Sequence, residues 1–600
     1  MPLRSLLLAS ALLAAAPVLA DGANQPATVS VDFQWGVKIP LRDGVKLNAT
    51  LYRPPGQQAP LPCIFTLTPY IAQKYHERGM YFASHDYVFL TIDVRGRGNS
   101  EGAFAPLLQE ARDGYDIVEW LAKQPYCNGK VTMWGGSYAG YDQWATAKEF
   151  PAHLATIVPV ASPRPGVDFP FTSNIYYAYD MQWLTLTSGK TAQDAIFGDA
   201  TFWSRQFARL SDAHRPFKEL DAVVGNPSPI FQEWLAHPEQ GAYWDSYSPT
   251  PEQFAKLDLP ILTITGQYDD DQPGAMSFYR EHMHRASAAA RNRHYLLIGP
   301  WDHAGTRTPT ETYEGVSFGA ASLVDMNALH KDWYDWTLKG GKPPTFLKNK
   351  VTYYMLGKGA EDWRYAPALE AITASVKPMY LASANGRSNS VYASGQLATD
   401  APGGAVKPDS YVYDPLDTHF TAWDGDEEGA TSLTDQSGLL GASGQLLVYH
   451  SAPFEQDTEL AGFPKLSLWL SLNQPDTDLA AFLYEIKPDG SSIRIGSALL
   501  RTRYRLGLRE AVLVKPGAIE RYDLDQFSFL ARRIGHGSRL RLAIGPLNTK
   551  YFEKNYNSGG VVAEESGKDA RTVTVTLYHD TAHPSALYLP MAAPSTPGKP

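Results

Sequence analysis

The chain has 600 residues, 44% hydrophobic and 19% charged, enough to bury a large core and too long for one ordinary domain. Its formal net charge of -10 and pI near 5.9 are mildly acidic, and its 53 basic residues are scattered, which excludes the electrostatic footprint of a nucleic-acid binder. The first residues, MPLRSLLLASALLAAAPVLADGA, combine one early arginine, a short Leu/Ala run, and small residues Val18 and Ala20 ahead of Asp21. This is the pattern of a secretory signal cut after Ala20, and the run is well short of the ~20 residues that span a bilayer. The residue directly after the cut is Asp21 and not the cysteine of a lipid-anchored form, and no later stretch is apolar for long enough to span, so an exported, periplasmic or extracellular protein without a membrane span is expected.

Residues 29 to 53 alternate apolar and polar side chains about the turn dipeptide Asp43-Gly44, which predicts an antiparallel hairpin. Two short β-rich runs follow, CIFTLTPY (63 to 70) and YVFLTIDVRG (87 to 96), of the kind that buried parallel strands show. QEARDGYDIVEWLAKQ (109 to 124) sets Ala111, Tyr115, Val118, Leu121 and Ala122 on one helical face and leads into KVTMW. The strand–helix alternation resumes at LPILTITG (259 to 266) and HYLLIGP (294 to 300), predicting an α/β, doubly wound sheet. Between the two halves, residues 163 to 250 are rich in aromatics at helical spacing and read as an inserted helical cap. From about residue 351 alternating strands take over, among them LSLWLSL (466 to 472), RLRLAI (539 to 544) and TVTVTLY (572 to 578). That texture predicts a β-sandwich of jelly-roll type.

The stretch WGGSYAG (134 to 140) sits between a strand run and a helix pattern. Its glycines allow a sharp turn and close packing, leaving Ser137 exposed at the C-terminal edge of the sheet. The stretch departs mildly from G-x-S-x-G, with Ala139 in place of the second glycine. A plain Gly-rich turn is the alternative. A serine nucleophile needs a base, and the base needs a carboxylate to orient it. LTITGQYDDD supplies Asp269 after one later strand, and YLLIGPWDHAG supplies His303 after the next. Asp302 competes as the acid, but adjacent side chains rarely turn towards each other. His282 and His284 face different sides of a helix, and His294 lies at the wrong end of its strand. An oxyanion would meet the Tyr138 amide and a second donor from the loop after the first parallel strand, where Tyr70 stands; Tyr is also common in turns.

LTPY (67 to 70), DVRGRGNSEG (93 to 102), CNGKVTMWGGSYAG (127 to 140), GQYDDD (266 to 271) and GPWDH (299 to 303), in this order, resemble the bacterial cocaine-esterase and α-amino acid ester hydrolase group, relatives of the X-prolyl dipeptidyl-peptidases. The resemblance implies an α/β-hydrolase sheet with a helical cap and a C-terminal jelly roll. The expected boundaries are signal peptide 1–20, first hydrolase segment 21–162, cap 163–250, second hydrolase segment 251–350 and jelly roll 351–600. It implies Ser137 as nucleophile, Asp269 and His303 as its partners, and Tyr70 with the Tyr138 amide as oxyanion hole, while Asp93 and Arg95 brace the loop beneath. In the strand order of that fold Cys63 and Cys127 fall at one end of neighbouring strands, so a disulfide between them is expected.

Members that prefer α-amino acyl groups hold the substrate ammonium with carboxylates just after the catalytic acid. Here Asp271 matches one such position and Gln272 replaces another, which weakens the case for an amino acyl preference; the favoured reading of Asp271 is an ordinary capping or dipole-compensating residue at a helix start before Pro273. Most cap aromatics, including Tyr176, Tyr177, Tyr179, Trp183 and Trp203, read as packed core, and the acidic loop DGDEE (424 to 428) as solvated rather than calcium-binding. The expected activity is hydrolysis of small-molecule esters or amides through an acyl-enzyme on Ser137, of the amino acid ester or β-lactam type, with no cofactor or metal. An exopeptidase removing N-terminal dipeptides, and a non-catalytic ligand-binding protein, are the competing readings. A homo-oligomer is compatible with the sequence, which does not fix the assembly.

Overall fold

The computed structural model describes residues 30–384, 386–418, 432–442 and 444–594; the leader and the acidic loop 424–428 lie outside them. The Asp43-Gly44 hairpin forms as β1 (Asp32–Pro40) against β2 (Lys46–Arg53). β3 (Leu61–Thr68) and β4 (Val88–Asp93) are parallel neighbours, joined through helix α1 (His76–Ala83). β5 (Cys127–Met133) follows α2 (Glu110–Leu121) and lies on the other side of β3. The buried face of α2 is Ala111, Gly114, Ile117, Val118 and Leu121, rotated from the expected one. Gly114 causes the rotation: a Cβ there would sit 1.9 Å from the Thr146 hydroxyl, so α2 packs against its neighbour through the glycine. Tyr115 is left partly exposed beneath the Arg42 guanidinium.

At Met133 the chain bends through β6 (Gly135–Gly136) into α3 (Tyr138–Ala147), then passes β7 (Leu154–Thr156) and β8 (Pro159–Val160). The sheet thereby continues past the bend: β6 and β8 pair with each other, and β8 pairs with a later parallel strand. The cap begins with a two-residue-per-strand hairpin, β9 (Phe171–Thr172) and β10 (Ile175–Tyr176), which has too few residues to mark a strand in sequence. Six helices follow, α4 (Tyr179–Leu186), α5 (Asp194–Phe197), α6 (Ala200–Ser211), α7 (Leu220–Val224), α8 (Pro229–Leu235) and α9 (Ala242–Asp245). α10 (Pro251–Lys256) leads back to the sheet at β11 (Ile261–Tyr268); α11 (Gln272–Arg285) and β12 (His294–Asp302) complete the second half.

The all-β domain starts later than residue 351. Val351–Met355 continues the hydrolase sheet in parallel beside β12, and Asp362–Ala366 closes its edge antiparallel. VTYYM is buried throughout and reads like any strand, so the change of domain leaves no mark there. Thirteen strands between Thr373 and Ala592 form the C-terminal domain. It is joined to the rest by backbone. Leu356 pairs with Arg532, Ala531 N–H reaches the Gln267 side chain at 2.8 Å, and Phe529 N–H reaches that of Gln272 at 2.5 Å. The cap is joined to the same domain by Ala178 N–H to Tyr551 O (2.8 Å) and Glu553 N–H to Tyr176 O (2.9 Å). Among the described residues no helix is long and apolar enough to cross a membrane.

The expected disulfide is absent: Cys63 and Cys127 are both free, buried thiols. They lie on adjacent strands, but Cys127 stands opposite Leu61 while Cys63 stands opposite Val131, so the two form a diagonal rather than a direct pair. The thiols hydrogen-bond to each other, and burial pushes the Cys63 thiol well up.

Candidate active site

Ser137 caps α3 with φ 61° and ψ -127°, a left-handed conformation that costs a side-chain-bearing residue about 1–3 kcal/mol. The surrounding backbone holds it there. Ser137 N–H donates to Val160 O (3.0 Å) and Ala161 O (3.1 Å), tying the bend to β8. The small residues on both sides are required by close approach. A Cβ on Gly140 would meet Val160 O at 2.4 Å, and one on Gly135 would meet the Ala139 methyl at 2.5 Å. The methyl of Ala139, which departs from the usual pattern, packs closely over Gly135.

His303 follows β12 and Asp269 follows β11, so the parallel register brings them together. His303 Nδ1 lies 2.8 Å from Asp269 Oδ1. Asp269 is fully buried at its side chain and is held by the Thr265 hydroxyl (2.8 Å) and the Asp271 amide (3.1 Å). With Nδ1 committed to the carboxylate, Nε2 is the nitrogen left for a substrate or nucleophile. Asp302 accepts from the Gly305 amide at 2.9 Å and so shapes the turn after His303. His294 and His282 are buried against each other, 3.0 Å apart, away from this group.

Tyr70 closes the site from the cap side of the sheet. Its phenol is in hydrogen-bond contact with the Ser137 hydroxyl, and burial raises its pKa well above the ordinary value, keeping it protonated. The Trp183 indole donates to the same phenol oxygen at 2.9 Å. An indole N–H only donates, so it takes one acceptor site of the phenol oxygen and leaves the phenol O–H free to donate into the site. Among the described residues no hydrogen bond joins the Ser137 hydroxyl to His303; the hydroxyl faces Tyr70 instead. The Tyr138 amide is the first of α3 and has no partner within the helix. The Tyr138 ring is fixed between the Trp183 ring, stacked at 6.0 Å, and a 2.5 Å hydrogen bond to the buried Glu110 carboxyl, which burial pushes up to about 7.

Asp271 lies beside this group, with Oδ2 3.5 Å from His303 Nδ1. It occupies the cap position of α11 yet makes no capping hydrogen bond. Burial and three other carboxylates, Asp168, Asp269 and Asp270, push it well up. Asp168, from the start of the cap, accepts from the amides of Gly274 and Arg164 and is raised by burial to about 7. Asp270 exposes its side chain but is surrounded by protein, as a group on a cleft wall is; desolvation raises it to about 6, with His303 opposing. Gln272 points elsewhere. Its amide bridges Gly266 O (2.7 Å) and Phe529 N–H, a tie between domains. Of the cap aromatics, Tyr176, Trp183 and Trp203 are buried, whereas Tyr179 is 42% exposed and feels both Tyr70 and Asp271. A separate cavity of about 350 Å³ beside Phe104, Leu184 and Lys190 is not lined by these groups. Asp93 accepts from the Ala72 amide, and Arg95 pairs with Asp113 and Asp43 beneath the loop. Arg97 holds Pro69 O at 2.9 Å and reaches the cap backbone at Thr191 O.

Trp183, Glu110, Asp168 and Arg307 were not legible as site residues. Trp183, Glu110 and Asp168 come from segments that share no spacing with the serine, acid or histidine, and Arg307, four residues after His303, belongs to no motif that marks a site. The one available signal was the unusual density of aromatics in the cap.

Two family models match. Residues 43–305 match the X-Pro dipeptidyl-peptidase (S15 family) model, and residues 347–588 match the X-Pro dipeptidyl-peptidase C-terminal non-catalytic domain. Cocaine esterase of Rhodococcus sp. (strain MB1 Bresler) is 26% identical over 589 residues, covering 92% of this chain and 98% of that protein. An α-amino acid ester hydrolase structure superposes with a TM-score of 0.80 at 20% identity, over 96% of this chain and all of that one. An aminopeptidase from a marine sediment Thaumarchaeota archaeon gives the same TM-score at 19% identity, over 96% and 98% of the two chains. Both structures share the fold.

Proposed function

We propose that this chain, a serine hydrolase similar to cocaine esterase and matched by the X-Pro dipeptidyl-peptidase models, cleaves small esters or amides through an acyl-enzyme on Ser137. The observation that carries this is a serine in a strained left-handed bend, in contact with Tyr70, on the same sheet edge as a His303–Asp269 pair at 2.8 Å. In the proposed cycle the Ser137 hydroxyl turns from Tyr70 and attacks the substrate carbonyl carbon as its proton passes to His303 Nε2. The carbonyl oxygen becomes an oxyanion between the Tyr138 N–H and the Tyr70 O–H. As the intermediate collapses, the bond to the alcohol or amine breaks and His303 returns the proton to that leaving group. Water, activated by the same imidazole, then releases the acid. Asp269 holds the ring in place and steadies the imidazolium.

The acyl group we assign is one that carries an ammonium. Asp168, Asp269, Asp270 and Asp271 crowd one wall; burial chiefly raises Asp168 and Asp270, and the neighbouring carboxylates add to it. A substrate ammonium beside Asp271 would relieve the crowding. The same crowding supports the dipeptidyl exopeptidase reading. Turnover of an aryl ester, an amino acid aryl ester and a dipeptidyl arylamide, side by side, separates the two. A fluorophosphonate probe should label the protein and fail to label Ser137→Ala; labelling that survives the substitution would sink the proposal. Export after cleavage at Ala20 is proposed with it, and the N-terminal sequence of the protein recovered outside the cytoplasm tests it.

A further inference from the structure

Four residues beyond His303, on the same turn, stands Arg307. The turn is fixed by the Thr306 hydroxyl on His303 O (2.7 Å) and by Arg307 N–H on Ala304 O (3.1 Å). Its side chain lies flat on Gly136, the residue before Ser137: a Cβ on that glycine would meet Arg307 Nη1 at 2.5 Å and Cδ at 2.7 Å. The glycine therefore leaves room for a guanidinium next to the nucleophile. Nη1 is buried with no hydrogen-bond partner, although the residue as a whole is partly exposed. Asp271 is within its electrostatic reach but makes no ion pair with it.

A second cation stands behind the first. Arg78 stacks over Trp134 at 5.3 Å, donates to the Asn327 side chain, and reaches Arg307 O at 3.5 Å. Among the described residues neither guanidinium has a carboxylate within ion-pairing distance. A buried guanidinium N–H without an acceptor is costly, and a second cation nearby adds to the cost, which Asp271 for Arg307, and Glu77 and Asp325 for Arg78, offset only from beyond ion-pairing distance. Arginine presents a planar fork suited to a carboxylate.

We infer that Arg307, backed by Arg78, anchors a carboxylate on the leaving group, so that the enzyme favours esters and amides whose departing alcohol or amine is itself an anion. The inference rests on the reading of Ser137 as nucleophile and His303 as the acid that protonates the leaving group. His303 and Arg307 share a turn, which puts the cation on the leaving-group side, while the carboxylate wall receives the acyl side. The favoured substrate is then zwitterionic, with an ammonium on the acid half and a carboxylate on the other, as in an unprotected dipeptide.

The test compares kcat/KM for phenyl acetate with that for 3-acetoxybenzoate, the same ester with a carboxylate on the leaving ring, in the full chain. The native enzyme should prefer the carboxylate. In Arg307→Gln the preference ratio should fall by about 10- to 100-fold, the range expected for a lost charge-assisted hydrogen bond, with the change in KM. Arg307→Lys should recover part of the ratio. An unchanged ratio in Arg307→Gln overturns the anchor. Should that variant not fold, the native enzyme still decides: 3-hydroxybenzoate must inhibit competitively at concentrations where phenol does not, and equal inhibition overturns the anchor. Turnover surviving in Ser137→Ala would instead strike at the nucleophile reading itself.

Discussion

Replacing Tyr70 by phenylalanine removes one atom, and the structure shows what that atom does. The ring keeps its edge contact with Tyr138 at 6.4 Å, so packing is preserved. The lost phenol takes with it an oxyanion donor, whose removal in comparable sites costs about 3 kcal/mol of transition-state stabilisation, or roughly 10²-fold in kcat. KM should move little, because the developing oxyanion exists only in the transition state. A second cost falls on stability. The Trp183 indole, buried at 4% exposure, loses its acceptor, and an orphaned buried donor costs about 1–3 kcal/mol. Trp183→Phe should lower kcat by a smaller factor, and the double variant should be little worse than Tyr70→Phe alone, since Trp183 acts through the phenol. Steady-state kinetics on an aryl acetate, with a thermal melt of each variant, measures both effects. A kcat for Tyr70→Phe within threefold of native would refute the assignment of Tyr70 to the oxyanion hole.

Gly140→Ala should destabilise by several kcal/mol and reduce fluorophosphonate labelling, because the new methyl meets Val160 O at 2.4 Å and backbone cannot move aside cheaply; an unshifted melting temperature would contradict the close approach. Glu110 is held at about 7 against 4.5 for the free carboxyl, so between those values the folded protein keeps a proton that the unfolded chain has lost. Stability therefore falls as pH rises through that window, by up to about 3 kcal/mol, and Glu110→Gln, which still accepts from Tyr138, should flatten that slope in urea unfolding between pH 4.5 and 7.5. Gln272→Glu places a carboxylate against Gly266 O while leaving the substrate wall untouched. It should lower the melting temperature without raising preference for amino acid esters; a gain in that preference would show that residue 272 reaches the acyl group after all.

What could be read from the sequence was whatever local pattern encodes. Ser137 announces itself because the bend needs glycines on both sides, and Asp269 and His303 because each follows a β-rich run at a strand end. Tyr70 was half legible, since its loop was evident and its phenol direction was not. That direction is set by Trp183, 113 residues away across the cap. Asp168 and Arg307 are equally silent, the first because it binds backbone amides of another segment, the second because its meaning lies in the absence of a Cβ at Gly136. Val351–Met355, at the expected boundary, is silent for a related reason: it is as β-rich as the domain that follows, and only its pairing with His294–Asp302 places it on the hydrolase sheet.

The pairing of Ala178 with Tyr551 and of Tyr176 with Glu553 stitches the cap to the C-terminal domain, and Arg501 adds a side-chain bond to Asn174 O. A covering riveted at its far margin does not swing like a door. Access to Ser137 then does not depend on the cap lifting away from the C-terminal domain at these residues.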